Sequence, residues 1–226
     1  MSDSLPDCPS DLWPTSPDQA RRVQEHLRER VETEDRLGPV GLVAGVDAHF
    51  AATGTLTWAA VAAVRFADLE LEESVLACLE TRFPYVPGLL SFREAPAMLD
   101  ALGRLSRAPD LLLVDGQGIA HPRRLGLAAH VGILADIPTI GVAKTRLVGR
   151  YDEPGPERGA WSPLVHRREV VGAVLRTRPG TRPLFVSVGH RVCLTTAIDL
   201  VLRCTPKFRL PEPIRLADRL SREHAA

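Results

Sequence analysis

The run Leu111-Leu112-Leu113-Val114 carries no polar side chain and leads straight into Asp115-Gly116. An apolar run stopped by an acid and a turn residue reads as a central parallel strand buried on both faces. A glycine-rich loop follows, then an apolar helix over about 125–134 and an apolar strand over 138–143 that delivers Lys144. Upstream, 17–33 reads as a charged surface helix, 41–50 and 55–66 as strands, and 91–106 as a helix; 70–81 fits either strand or helix. Downstream come a polar loop over 149–159, a hairpin over 161–165 and 170–176, a strand over 183–188 and a helix over 194–203. A tail with Pro211 and Pro213 is expected to close the chain. Antiparallel strands followed by strand–helix alternation predict one α/β domain, a central mixed β-sheet flanked by helices.

The 226 residues suit a single domain, and 45% hydrophobic with 25% charged residues is ordinary for a globular chain. No stretch approaches the roughly 18 apolar residues of a membrane span, so no membrane partner is expected. Residues 1–18 are acidic and proline-bearing, without the basic start and apolar run of a secretory signal. They are expected to form a flexible arm ahead of a domain over 19–226, in a cytoplasmic protein. Cys8, Cys78, Cys193 and Cys204 make no metal-binding pair by spacing. The formal net charge is zero, so any contact with nucleic acid needs local positive charge.

Asp47 and Asp115 each stand near the end of an apolar strand. If the two strands are neighbours, their carboxylates meet in one crevice and repel unless a cation sits between them. Hard oxygen ligands suit Mg²⁺ or Mn²⁺. The plainer alternative is that each Asp caps the following turn. Glu94, in Ser91-Phe92-Arg93-Glu94, fits a helix capping box. Pro84-Tyr85-Val86-Pro87 is a stiff segment that presents an aromatic ring, suited either to entering a base stack or to packing as a rigid turn. In the stretch from Gly118 to Gly126, His121, Arg123 and Arg124 precede a helix, where phosphates can be held or a solvated turn can form. Lys144 ends a strand near where the acids are expected, and can either hold a phosphate there or face solvent. His190 ends the last strand and is expected to reach the same crevice.

Taken together, Asp47-Ala48-His49-Phe50, the run from Pro84 to Glu94, the run from Val114 to Gly126, Gly141-Val142-Ala143-Lys144, Gly189-His190-Arg191 and Arg209-Leu210-Pro211-Glu212-Pro213 resemble the endonuclease V family. The resemblance runs over about residues 20–220. It implies a ribonuclease-H-like fold with Asp47, Glu94 and Asp115 as metal-binding acids, overriding the capping role for Glu94. It further implies Lys144 near the scissile phosphate, His190 as a further active-site residue, and Pro84, Tyr85 and Pro87 as a strand-separating wedge. Leu90, Gly116, His121 and Gly126 fall around a pocket for an extruded hypoxanthine, with Arg123 as a further substrate contact. The implied activity is DNA repair: Mg²⁺-dependent hydrolysis, with Mn²⁺ able to substitute, of the second phosphodiester bond 3′ to deoxyinosine. The products carry 3′-hydroxyl and 5′-phosphate ends. The implied partner is deoxyinosine-containing DNA, single- or double-stranded, with inosine-containing RNA as a second substrate; a monomer is expected.

His49 departs from the family pattern, where a small residue is usual; it can touch the metal site or the substrate, or face solvent. A rival reading, a ribonuclease-H-like nuclease for junctions or hybrids, would not need the Pro-Tyr-Val-Pro segment. A second, a binding module without catalysis, would lack an acid or the lysine.

Overall fold

A computed structural model describes residues 13–225. Among them, β1 (Leu42–Phe50), β2 (Leu56–Arg65), β3 (Leu71–Glu80), β4 (Leu111–Val114), β5 (Thr139–Ala143), β6 (Trp161–His166), β7 (Glu169–Leu175) and β8 (Leu184–His190) form one sheet in the order β3-β2-β1-β4-β5-β8-β7-β6. β4 lies parallel between β1 and β5, and the other neighbours pair antiparallel. The fold is one α/β domain with a mixed, mostly antiparallel sheet. The ambiguous segment at 70–81 is a strand because the edge of β2 offers it a ladder from Leu56↔Glu80 to Val64↔Leu71, with one bulge after Ala63.

Strand alternation sorts the core into two layers. Ala44, Val46, Leu112 and Val114 pack against α2 (Ser91–Leu102) and α3 (Leu127–Ala135). Val43, Leu111, Leu113 and Val142, from the opposite face, pack with α4 (Leu194–Arg203) and with Ile214 of α5 (Glu212–Ala225). α1 (Pro17–Leu27) is capped by Ser16 and followed by one 3-10 turn, so it ends earlier than the expected 33. No described helix is long and apolar enough to cross a membrane. Residues 1–12 of the expected N-terminal arm lie outside the described residues; Trp13 sets its ring 5.7 Å from that of His130.

The expected proline-bearing tail is instead the 14-residue helix α5. Pro213 sits in its first turn, where a missing N–H breaks no helical bond. α5 buries Ile214, Ala217 and Ser221. It lies directly on β1 because residue 45 is glycine: a Cβ there would overlap the carbonyl carbon of Pro213 and the nitrogen of Ile214.

Candidate active site

β1 and β4 are parallel neighbours with Val46 opposite Val114, so the next residue on each chain, Asp47 and Asp115, falls at the same carboxyl edge. The Asp115 N–H donates to the Val46 carbonyl at 3.1 Å and locks that register. β5 runs parallel beside β4 and delivers Lys144, whose Nζ lies 2.5 Å from Asp115 Oδ2 and 3.3 Å from Asp218 Oδ1. Asp218 comes from α5, and its second oxygen is held by Arg222 at 2.5 Å.

Glu94 reaches the same region from α2. It is not a capping residue: the helix is capped by Leu90 with no side-chain bond, and Ser91 instead sets its Oγ 3.0 Å from His130 Nδ1. Glu94 is buried. Burial, and then the charges of Asp47 and Asp115, hold its carboxyl well above the usual carboxylate range. Burial and the Asp115 charge push Asp47 up to about 8, against the pull of Lys144. Asp115 is also raised by burial, with Lys144 opposing. Asp218 is lowered, because Lys144 and Arg222 overcome its burial.

Four carboxylates facing one lysine hold too much negative charge to ionise together in a partly dry crevice. Asp47 Oδ2 is buried with no hydrogen-bond partner among the described residues, and one ligand atom each of Asp47, His49 and Asp218 lies within 4.8 Å of the others. An orphaned carboxylate oxygen in a set dominated by hard donors fits a divalent cation.

Asp115 and Lys144 also line a cavity of about 490 Å³ together with Tyr85, Pro87, Leu90, Gly116, His121 and Gly126. That is within the range of small-molecule pockets, roughly 300–1,000 Å³. Pro84 and Arg123, expected as substrate contacts, do not line it. Arg123 donates to the Gly88 carbonyl at 2.7 Å and to Gln24 Oε1. His121 Nε2 lies 3.1 Å from the same carbonyl, while its Nδ1 accepts from the Arg123 N–H at 3.2 Å. Burial and Arg123 push that imidazole down to about 4, so it is neutral. Gln24 Nε2 supplies a third donor to Gly88 O at 3.1 Å. Gly88 takes a φ of +78°, a conformation that costs a side-chain-bearing residue strain. Beyond this anchor Tyr85 stands 72% exposed. Arg124 is bound to Glu169 and to the His121 carbonyl, away from the cavity lining.

His190 does not join the crevice. β8 runs antiparallel to β5 with His190 opposite Thr139 and Phe185 opposite Ala143, so its carboxyl end lies at the other edge of the sheet. There its Nδ1 accepts from the Glu32 N–H at 3.3 Å. The fourth acid is Asp218, which the sequence reading missed along with its helix. The signal was the spacing Ile214, Ala217, Ser221 behind Pro213.

Acids gathered from two parallel strands and two helices, with one lysine and an adjoining cavity, define the site of a nuclease on an α/β scaffold. A sequence model of the Endonuclease V family matches residues 25–219, and the chain belongs to that family. It is 57% identical over 210 residues to Endonuclease V of Trichormus variabilis, covering 92% of this chain and 95% of that one. It is 51% identical to that of Azotobacter vinelandii, covering 98% and 100%. The crystal structure of Endonuclease V from Streptomyces avermitilis superposes with a TM-score of 0.90 at 45% identity, covering 94% of each chain. Endonuclease V of Ciona intestinalis, crystallised with a 24mer DNA containing an inosine followed by a ribo-adenosine, superposes with a TM-score of 0.81 at 28% identity, covering 92% and 96%.

Proposed function

We propose that this protein is a metal-dependent repair endonuclease on a ribonuclease-H-like scaffold that recognises deoxyinosine in DNA and hydrolyses the second phosphodiester bond 3′ to it. The observation that carries this reading is that Asp115 and Lys144 belong at once to the acid crevice and to the lining of the adjoining cavity. A base extruded into the cavity leaves its own strand running past the acids.

Tyr85, stiffened by Pro84 and Pro87, enters the stack and fills the gap left by the extruded base. The cavity encloses that base beside Leu90, Gly116, His121 and Gly126. Hypoxanthine presents O6 and an N1–H donor where adenine presents an amino group and a bare nitrogen, an edge that backbone amides and carbonyls can distinguish. Lys144 holds the scissile phosphate as a point charge. Asp47, Glu94, Asp115 and Asp218 would hold Mg²⁺ or Mn²⁺, which supplies Lewis-acid charge at the reacting phosphate. Cleavage leaves 3′-hydroxyl and 5′-phosphate ends and an intact base. The ribonucleotide beside the inosine in the Ciona complex favours inosine-containing RNA as a second substrate.

The test is nicking of DNA and RNA oligonucleotides carrying one inosine, each with an adenosine control, in Mg²⁺, Mn²⁺ or EDTA. A metal-dependent nick one nucleotide beyond the inosine, absent from the control, is expected. No inosine-dependent nick with either metal overturns the reading.

A further inference from the structure

Asp47 and His49 lie two residues apart on β1, so strand alternation places them on one face. That face meets α5, which brings Asp218 and, three residues on, Ser221. A ring nitrogen of His49 and one carboxylate oxygen each from Asp47 and Asp218 fall within 4.8 Å of one another. Opposite ligands of an octahedral ion with bonds of about 2.1 Å stand about 4.2 Å apart, so these atoms are close to ligating separation.

Two more observations bear on the imidazole. The orphaned Asp47 Oδ2 lies 3.8 Å from His49 Nδ1, so the unsatisfied oxygen and the ring face the same space. The same Nδ1 also lies 3.0 Å from the Oγ of buried Ser221. The same hydroxyl contacts the carbonyls of Ala217 at 3.0 Å and Asp218 at 3.2 Å. Because that hydroxyl donates to a backbone carbonyl, it accepts from Nδ1–H, which fixes the ring and leaves Nε2 as the nitrogen with a free lone pair, the usual arrangement of a ligating histidine. Asp218 and Ser221 sit one turn apart, so one helix turn supplies both a carboxylate and the hook for the imidazole.

We propose that His49 is a nitrogen ligand of the divalent cation in this crevice, biasing the site toward transition-metal dications over Mg²⁺. The inference rests on the reading that the crevice holds such a cation. The other four ligating side chains offer oxygen, which Mg²⁺ accepts well. A single imidazole adds little for Mg²⁺ and progressively more from Mn²⁺ to Co²⁺.

The test uses the full chain, stripped of metal, without nucleic acid. Pulsed EPR of the Mn²⁺-loaded protein is expected to show ¹⁴N modulation that disappears in His49→Ala. Titration calorimetry with Mg²⁺, Mn²⁺ and Co²⁺ should show His49→Ala weakening Mn²⁺ by about tenfold and Co²⁺ by more, with Mg²⁺ changed by less than about twofold. Ser221→Ala, which keeps the imidazole but frees it, should give a smaller loss in the same order. Absence of ¹⁴N modulation in the wild type, no Mn²⁺ bound at millimolar concentration, or equal losses for all three metals overturns the proposal. Because neither readout involves cleavage, nitrogen-ligated Mn²⁺ without an inosine-dependent nick would sink the proposed function and leave this inference standing.

Discussion

The ammonium of Lys144 stands 2.5 Å from the carboxylate of Asp115, each delivered by the end of its own parallel strand. In the resting protein the lysine offsets acid charge, and a bound phosphate would compete for it. Lys144→Ala is therefore expected to lower single-turnover nicking by about 10²–10³-fold, the usual loss of one preorganised charge contact. Asp115→Ala is expected to abolish turnover while binding of inosine-containing DNA, followed by anisotropy, persists. Loss of binding in parallel with turnover would contradict the roles given to both residues.

Tyr85 is mostly exposed, so its side chain contributes little to the folded state. Tyr85→Ala should leave thermal unfolding unchanged and weaken binding of inosine-containing duplex by roughly tenfold, in line with one lost base–aromatic stack. Single-stranded substrate should suffer less, because there is no pair to open. An equal loss on both would argue against a wedge.

Gly45 sets the distance between β1 and α5. Gly45→Ala forces backbone apart and is expected to cost about 1–3 kcal/mol in urea unfolding. It should also depress metal affinity, because Asp218 and Ser221 move with the helix. Full metal affinity in a destabilised Gly45→Ala protein would separate α5 from the cation site.

Stability should fall on acidification below about pH 6.5, in part through His130. Complete burial beside Phe92, at 5.0 Å between ring centroids, pushes its imidazole from 6.5 down to about 4. Between those values the unfolded chain takes up a proton that the folded chain refuses, so folding weakens as pH drops through that window. His121, pushed down to about 4, adds in the same direction. His130→Phe should make the slope of unfolding free energy against pH shallower between pH 6.5 and 4; an unchanged slope would remove His130 as a source.

Much of the frame was readable because its signals are local. Leu111–Val114 is apolar throughout and reads as a buried strand, and α4 carries helical spacing over the range expected for it. What escaped depends on direction and distance along the chain. His190 ends an apolar strand much as Lys144 follows one, yet β8 runs against β5, and no residue in either strand announces that. α5 was hidden by Pro211 and Pro213, which read as breakers although a helix tolerates proline in its first turn. With α5 went Asp218, 171 residues beyond the Asp47 it faces. The pattern at Ser91–Glu94 misled in the opposite sense: the capping spacing is present, but Leu90 already turns as helix, so Glu94 is free to point at the acids.

The carbonyl of Gly88 accepts from Gln24, His121 and Arg123, which come from α1 and from the loop after β4. A finger bound at its base by three donors has little freedom left to surrender when a strand arrives. The entropy of shaping it was settled during folding, so if Tyr85 is the proposed wedge its stacking energy would be available for opening the duplex. On that reading the protein would test many ordinary base pairs in quick succession, since it would reshape nothing between one failed attempt and the next.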